Sequence, residues 1–160
     1  MTDNGFTTCL WFDTEGEAAA NFYMSIFKDS RIGRVSRYTE AGPGPAGSAM
    51  AVEFELNGQK FLALNGGPAN AHFTEAISFQ VPCADQAEVD YYWERLSDGG
   101  QEDACGWVKD RYGLSWQVVP TALAEMIVDP DPAKVRRAME AMFTMKKLDI
   151  AALQNAYAGE

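Results

Sequence analysis

Histidine occurs once in these 160 residues, and that scarcity closes off several chemistries. An iron site of two histidines and a carboxylate, a three-histidine zinc site and an HExxH motif each need at least two. A Ser-His-Asp or Cys-His arrangement would have to use His72. That residue ends the Gly/Pro/Asn-rich stretch 66–72, which reads as a surface loop. Cysteine is also sparse: Cys9, Cys83 and Cys105 are odd in number, far apart and without a CxxC pair. Reduced thiols and a cytoplasmic location are the expectation. Basic residues are few, 13 against 23 acidic ones, for a net charge of −10. Such a chain lacks the basic surface that nucleic acid or an anionic membrane requires. It also lacks an apolar run near the ~20 residues of a membrane span. Its start shows no basic-then-apolar order of a signal peptide.

What is present is a folded composition, 47% hydrophobic and 12% aromatic, well outside the disordered class. Residues 7–12 are β-branched and aromatic and read as a strand. Between Glu15 and Phe27, the spacing of Ala18, Ala19, Phe22, Tyr23, Ile26 and Phe27 predicts an amphipathic helix. A second strand is expected over 31–38. The stretch 41–48, AGPGPAGS, excludes regular structure because its prolines lack donors and its glycines favour turns. Two apolar runs, 50–56 and 60–64, then flank Asn57-Gly58, a strong hairpin signal.

The same order returns in the second half. A strand is expected over 76–81, a helix over 86–96 with Val89, Tyr92, Trp93 and Leu96 inward, a short strand over 105–109 and a last one over 114–119. An offset of 69 sets Ala18 on Ala87 and Phe27 on Leu96, whereas the turn glycines Gly58 and Gly113 lie 55 apart. The difference of 14 matches the length of the Gly/Pro-rich loop. An internal β-α-β-β-β duplication explains both numbers. Beyond Pro120 the pattern turns helical. Asp131-Pro132 opens a helix to about Met145, whose end Lys146 and Lys147 would favour electrostatically, and Asp149 caps a last one over 150–157.

FLALNGGP (61–68) running into EAISFQV (75–81), and GGQEDACGWVKDRYGLSWQVVP (99–120), resemble the vicinal oxygen chelate (glyoxalase/bleomycin-resistance-like) superfamily. Within it they are similar to the PhnB-like branch, whose members often carry the label 3-demethylubiquinone-9 3-methyltransferase. The resemblance covers about residues 5–157. It implies an α+β fold: one glyoxalase-like domain over 1–160, in which two β-α-β-β-β modules, about 5–67 and 73–120, form curved, half-open mixed sheets. A C-terminal helical extension over 121–157 completes it. It also implies a sheet pocket that in many relatives holds a divalent metal, with ligands from the opening strand of each module and the closing strand of each sheet. Here those strands read TCLW (8–11), FLALN (61–65), AISF (76–79) and SWQV (115–118), and only Gln117, with Asn65 a distant second, resembles a ligand. One neutral amide supplies neither the charge nor the imidazole a divalent ion needs, so the expectation is no metal and no cofactor. The glycine clusters do not open a helix after a parallel strand, which speaks against a nucleotide-type methyl-donor site.

Strand alternation puts Ser115 and Gln117 on one face, with Trp116 and Val118 on the other, and pairs Cys105 with Trp107. Asn65, Cys105, Trp107, Trp116 and Gln117 are the ligand-binding candidates, with Met50, Phe54, Phe79 and Gln80 as further pocket walls or contacts. The aromatic residues serve equally well as core packing. Lys109 to Arg111 reads as a solvated hairpin tip closed by Gly113. Three functions follow: a metal-independent small-molecule binder or enzyme, a dimeric interaction module with a filled cavity, or a metal-dependent lyase or dioxygenase whose ligands this chain lacks. A homodimer through the C-terminal helices, whose apolar face includes Met139, Met142 and Phe143, is also expected.

Overall fold

The computed structural model describes residues 5–68 and 72–160, and the chain divides into two units, 1–72 and 73–160. In the first, β1 (Thr8–Phe12), α1 (Gly16–Ile26), β2 (Ser30–Arg37), β3 (Ala49–Leu56) and β4 (Gln59–Asn65) follow in order. They form one sheet of order β1-β4-β3-β2, parallel between β1 and β4 and antiparallel elsewhere. Asn57 and Gly58 both take positive φ, 48° and 79°, and close the tight β3–β4 hairpin. One face of the sheet is covered by α1. There Tyr23 stacks on Phe54, which stacks on Phe61, with ring centroids 6.2 and 5.2 Å apart. Phe54 is therefore core, 3% exposed, rather than an open wall.

The second unit repeats the plan with β5 (Ser78–Cys83), α2 (Gln86–Ser97), β6 (Gln101–Glu102), β7 (Trp107–Lys109) and β8 (Ser115–Pro120), in the order β5-β8-β7-β6. Both sheets and their helices match the expected α+β modules. The duplication is off by one residue in the helices: buried Ala19, Tyr23 and Ile26 of α1 match Val89, Trp93 and Leu96 of α2 at an offset of 70, not 69. Hence Ala18 is exposed and Ala20 is buried. Aromatic pairs alone do not fix helical phase; burial does.

Three helices complete this unit, α3 (Thr121–Met126), α4 (Pro132–Phe143) and α5 (Ile150–Ala158). Asp131 and Asp149 cap the last two, accepting from Ala133 N and Ala152 N at 2.9 Å. Leu123, Met126, Ala138, Leu148 and Leu153 form their shared core. The α4–α5 connection is tied to the module below it. Cys105 N and Gly106 N donate to Met145 O and Lys146 O, both at 2.8 Å, and Gln86 donates to Leu148 O while accepting from Ile150 N. Helix α4 stops at Phe143, so Lys146 and Lys147 lie beyond it, and Lys147 pairs with Asp90 instead of serving the helix end.

Candidate functional site

The two sheets use their helix-covered faces alike and their other faces differently. On the face of the first sheet away from α1, β1 carries Cys9 and Trp11, β4 carries Lys60, Leu62 and Leu64, and β3 carries Glu53 and Glu55. Arg31 pairs with Glu55 at 2.6 Å and Arg34 with Glu53 at 2.7 Å. The Arg34 hydrogen bonds hold the Glu53 carboxyl below its usual range. A cavity of about 580 Å³ lies here, lined by these charges with Lys60, Phe61 and Leu62.

In the second unit, register assembles what no single strand shows. Ser78 of β5 stands opposite Ser115 of β8, which stands opposite Lys109 of β7. One step along, Gln80 stands opposite Gln117, which stands opposite Trp107. Because alternate residues share a face, these six form two rows on the side away from α2. One row is hydroxyl, hydroxyl, ammonium; the other is amide, amide, indole. The rows are cross-linked. Gln117 Nε2 donates to Ser78 Oγ at 2.8 Å, and Gln80 Nε2 donates to Gln117 Oε1 at 3.3 Å. Lys109 pairs with Glu75, which precedes β5, and their hydrogen bond pushes the Lys109 pKa above its usual value and holds the Glu75 carboxyl below its own.

Each candidate from the sequence now has a place. Gln117 and Trp107 share this face with Gln80, and both are half-buried. Trp116 lies on the opposite, helix-covered face, 3% exposed, packed against Phe79 at 5.5 Å between ring centroids. Cys105 belongs to no strand. With Gly106 it turns through positive φ, 59° and 82°, immediately before β7, so alternation with Trp107 does not apply. Asn65 lies in the first unit, 7% exposed, with its amide committed to the backbone: Oδ1 accepts from Gly16 N at 2.7 Å and Nδ2 donates to Ala49 O at 3.0 Å. It borders a separate cavity of about 450 Å³ beside Tyr38, Arg37 and Glu17. Met50 is half-buried on β3, and His72 is exposed.

The expected solvated tip at 109–111 holds only for Arg111, which pairs with Asp98. Asp110 is buried, 3% exposed. Its Oδ1 accepts from Tyr112 N at 2.8 Å and Leu114 N at 3.1 Å, and its Oδ2 from Trp116 Nε1 at 2.9 Å. Thus one carboxylate fixes both the turn and the rotamer of Trp116, and through β8 the line on which Ser115 and Gln117 sit. The available signal was an Asp three residues before a turn glycine, with a Trp three residues further on.

A divalent ion does not fit the strand faces where the resemblance implies a metal. The side chains there include Cys9, Trp11, Lys60, Leu62, Leu64, Ser78, Gln80, Ser115 and Gln117, with no carboxylate and no imidazole among them. Among the described residues, no three His, Cys, Asp or Glu side chains gather into a cation-holding group.

The family model described as 3-demethylubiquinone-9 3-methyltransferase matches residues 4–119. A PhnB protein from Bacillus cereus carrying that same description is 36% identical, with a TM-score of 0.68 over 73% of this chain and 99% of that one. A protein from Pseudomonas aeruginosa matches at 18% identity and TM-score 0.59, over 72% and 96%. The fosfomycin resistance protein FosX from Listeria monocytogenes, solved with Mn(II) and sulfate, matches at 18% and TM-score 0.50, over 72% and 90%. These last two show the fold alone. A search of curated proteins finds no match. On the family match and the Bacillus relative, the chain belongs to the PhnB-like 3-demethylubiquinone-9 3-methyltransferase family, within the vicinal oxygen chelate superfamily.

Proposed function

We propose that the protein binds a small, planar, partly polar molecule on the Trp107–Gln117 face of its second sheet, without a metal ion. The observation that carries this reading is the hydrogen-bonded chain Gln80–Gln117–Ser78, which joins the two rows beside a half-buried indole. An apolar wall with a few convergent polar groups is the general form of a small-molecule site. The sheet topology does not suit the methyl transfer in the family's name. A methyl-donor site of the nucleotide-binding type needs parallel strands alternating with helices, whereas each sheet here has one parallel pair, between its first and last strands. Native mass spectrometry of the purified protein, with thermal-shift screening of aromatic and dicarbonyl metabolites, tests the reading. A ligand that raises the melting temperature of wild type but not of Gln117→Ala is the expected result. A protein that carries no ligand and responds to no compound refutes it.

A second reading, pairing of two copies through α4, is favoured by one specific feature. Met139 and Phe143 are 37% and 62% exposed along one stripe of the helix, and border a cavity that Ile127 also lines. Arg136 and Glu140 flank that stripe, so an antiparallel copy about a two-fold axis would set each Arg136 near the other chain's Glu140. Wild type running as a dimer and Phe143→Glu as a monomer by light scattering is the result this expects; a monomeric wild type removes it.

A further inference from the structure

Ser115 presents an anomaly that the small-molecule reading leaves unexplained. It is 1% exposed, and its Oγ has no hydrogen-bond partner among the described residues. Leaving a buried hydroxyl unsatisfied is destabilising, and native proteins seldom tolerate it without a reason. Alanine at this position would remove that penalty and keep the strand. The hydroxyl shares the Gln117 face, between Ser78 on one side and Lys109 on the other. Lys109 is bonded to Glu75, in the segment leading into β5, so this ion pair links the two strands that flank β8. The side chains of the pair are 30% and 55% exposed, and such surface pairs are weak. A weak internal carboxylate thus sits on the ammonium beside a hydroxyl that has nothing to bond.

We propose that Lys109 and Ser115 form the subsite for a ligand carboxylate, for which Glu75 stands in until the ligand displaces it. The inference rests on the small-molecule reading above and narrows it to planar carboxylates. Trp107 lies two residues from Lys109 on the same strand face, one to two cross-strand steps from the amides of Gln117 and Gln80. A ring lying on the indole can therefore direct a carboxylate to the Lys109 ammonium, where one oxygen also accepts from Ser115 Oγ. That oxygen supplies the partner Ser115 lacks. A charge-assisted pair of this kind is stronger than a neutral hydrogen bond.

Benzoate is the probe, and benzamide its neutral counterpart, each titrated by isothermal calorimetry or by ligand-observed NMR. Wild type is expected to bind benzoate at least about 10-fold more tightly than benzamide. Glu75→Gln, by removing the internal competitor, should tighten benzoate up to about 5-fold, the weight of an exposed ion pair. Lys109→Met should abolish the preference for benzoate. Ser115→Ala should weaken benzoate while leaving the urea midpoint of the unliganded protein unchanged or higher, a combination that a purely structural serine would not give. Equal binding of benzoate and benzamide, unaffected by Lys109→Met and Glu75→Gln, overturns the subsite and leaves the small-molecule reading standing. Absence of benzoate binding to both wild type and Glu75→Gln also overturns the subsite; the metabolite screen then decides the broader reading separately.

Discussion

Replacing Asp110 tests the claim that one buried carboxylate sets the β7–β8 turn and the site strand beyond it. In Asp110→Asn the shape is kept, and Oδ1 can still accept from Tyr112 N and Leu114 N. The new NH₂ then meets Trp116 Nε1–H, donor against donor, where a 2.9 Å bond stood. Flipping the amide moves the same conflict onto the turn. One buried donor left unsatisfied costs about 1–3 kcal/mol, so about 2 kcal/mol is expected. Asp110→Ala strands the buried Leu114 and Trp116 donors together, while Tyr112 N, only part-buried, can turn to water. Its expected loss is about 4 kcal/mol. With a urea slope of about 2 kcal/mol per molar, the Asn variant should unfold about 1 M earlier, followed by tryptophan fluorescence. A double-mutant cycle isolates the bond, since Trp116→Phe keeps the ring and removes the N–H. Asp110→Asn and Trp116→Phe should be non-additive by about 1 kcal/mol or more. An Asn variant within about 0.5 kcal/mol of wild type, or strict additivity in the cycle, would refute the bracket.

Four further outcomes follow from the structure. Asn65→Ala, which frees the Gly16 N–H and the Ala49 carbonyl at a buried position, should lower stability by about 2–4 kcal/mol in chemical denaturation. Gly58→Ala should lower it by about 1 kcal/mol through its φ of 79° alone, since a Cβ there meets nothing within 4 Å; an unchanged midpoint would contradict the tight-turn assignment. Brief alkylation at pH 8 with peptide mass mapping should label exposed Cys9 before buried Cys83, whose thiol burial pushes up to about 12. Because that folded value is raised, the thiol's contribution to stability is complete below the ordinary cysteine range and is lost as pH rises from there toward about 12, an alkaline limb that Cys83→Ala should flatten.

How far the sequence could be read depended on whether a feature is local to one element. The Asn57-Gly58 turn and the Asp131 and Asp149 caps are local, and each stands where its residues place it; the α1 stripe locates the helix but not its phase, since Ala18 is exposed and Ala20 buried. The division of β8 into Gln117 on one face and Trp116 on the other is local too, and it stands. Cross-strand relations are not local. That Ser115 lies between Ser78 and Lys109 follows from register across three strands, which alternation within each strand does not determine. Cys105 directly precedes a strand, but its positive φ makes it part of the turn that the α4–α5 connection holds through Met145 O. Asp110 sits in a Lys-Asp-Arg run that looks solvated. Only the return of Trp116 over the turn shows why it is buried.

The duplication clarifies why one sheet, and not the other, presents a hydrogen-bonded polar grid. The two modules kept the helix-facing positions apolar: Leu10 and Phe12 in β1 correspond to Val81 and Cys83 in β5, and Phe61 in β4 corresponds to Trp116 in β8. Those positions are constrained by packing against α1 or α2, where a polar side chain would lie buried among apolar neighbours. The opposite faces carry no such constraint and have diverged. Where β1 and β4 present Cys9 and Leu62 as register partners, β5 and β8 present Gln80 and Gln117, hydrogen-bonded to each other. Core packing does not require that exchange of a thiol and an alkyl chain for two amides. The same face holds the unsatisfied Ser115 hydroxyl, a feature that lowers stability and that alanine would relieve. Residues that stability alone would not select are concentrated on one face of one sheet, and that concentration is the physical argument for placing recognition there.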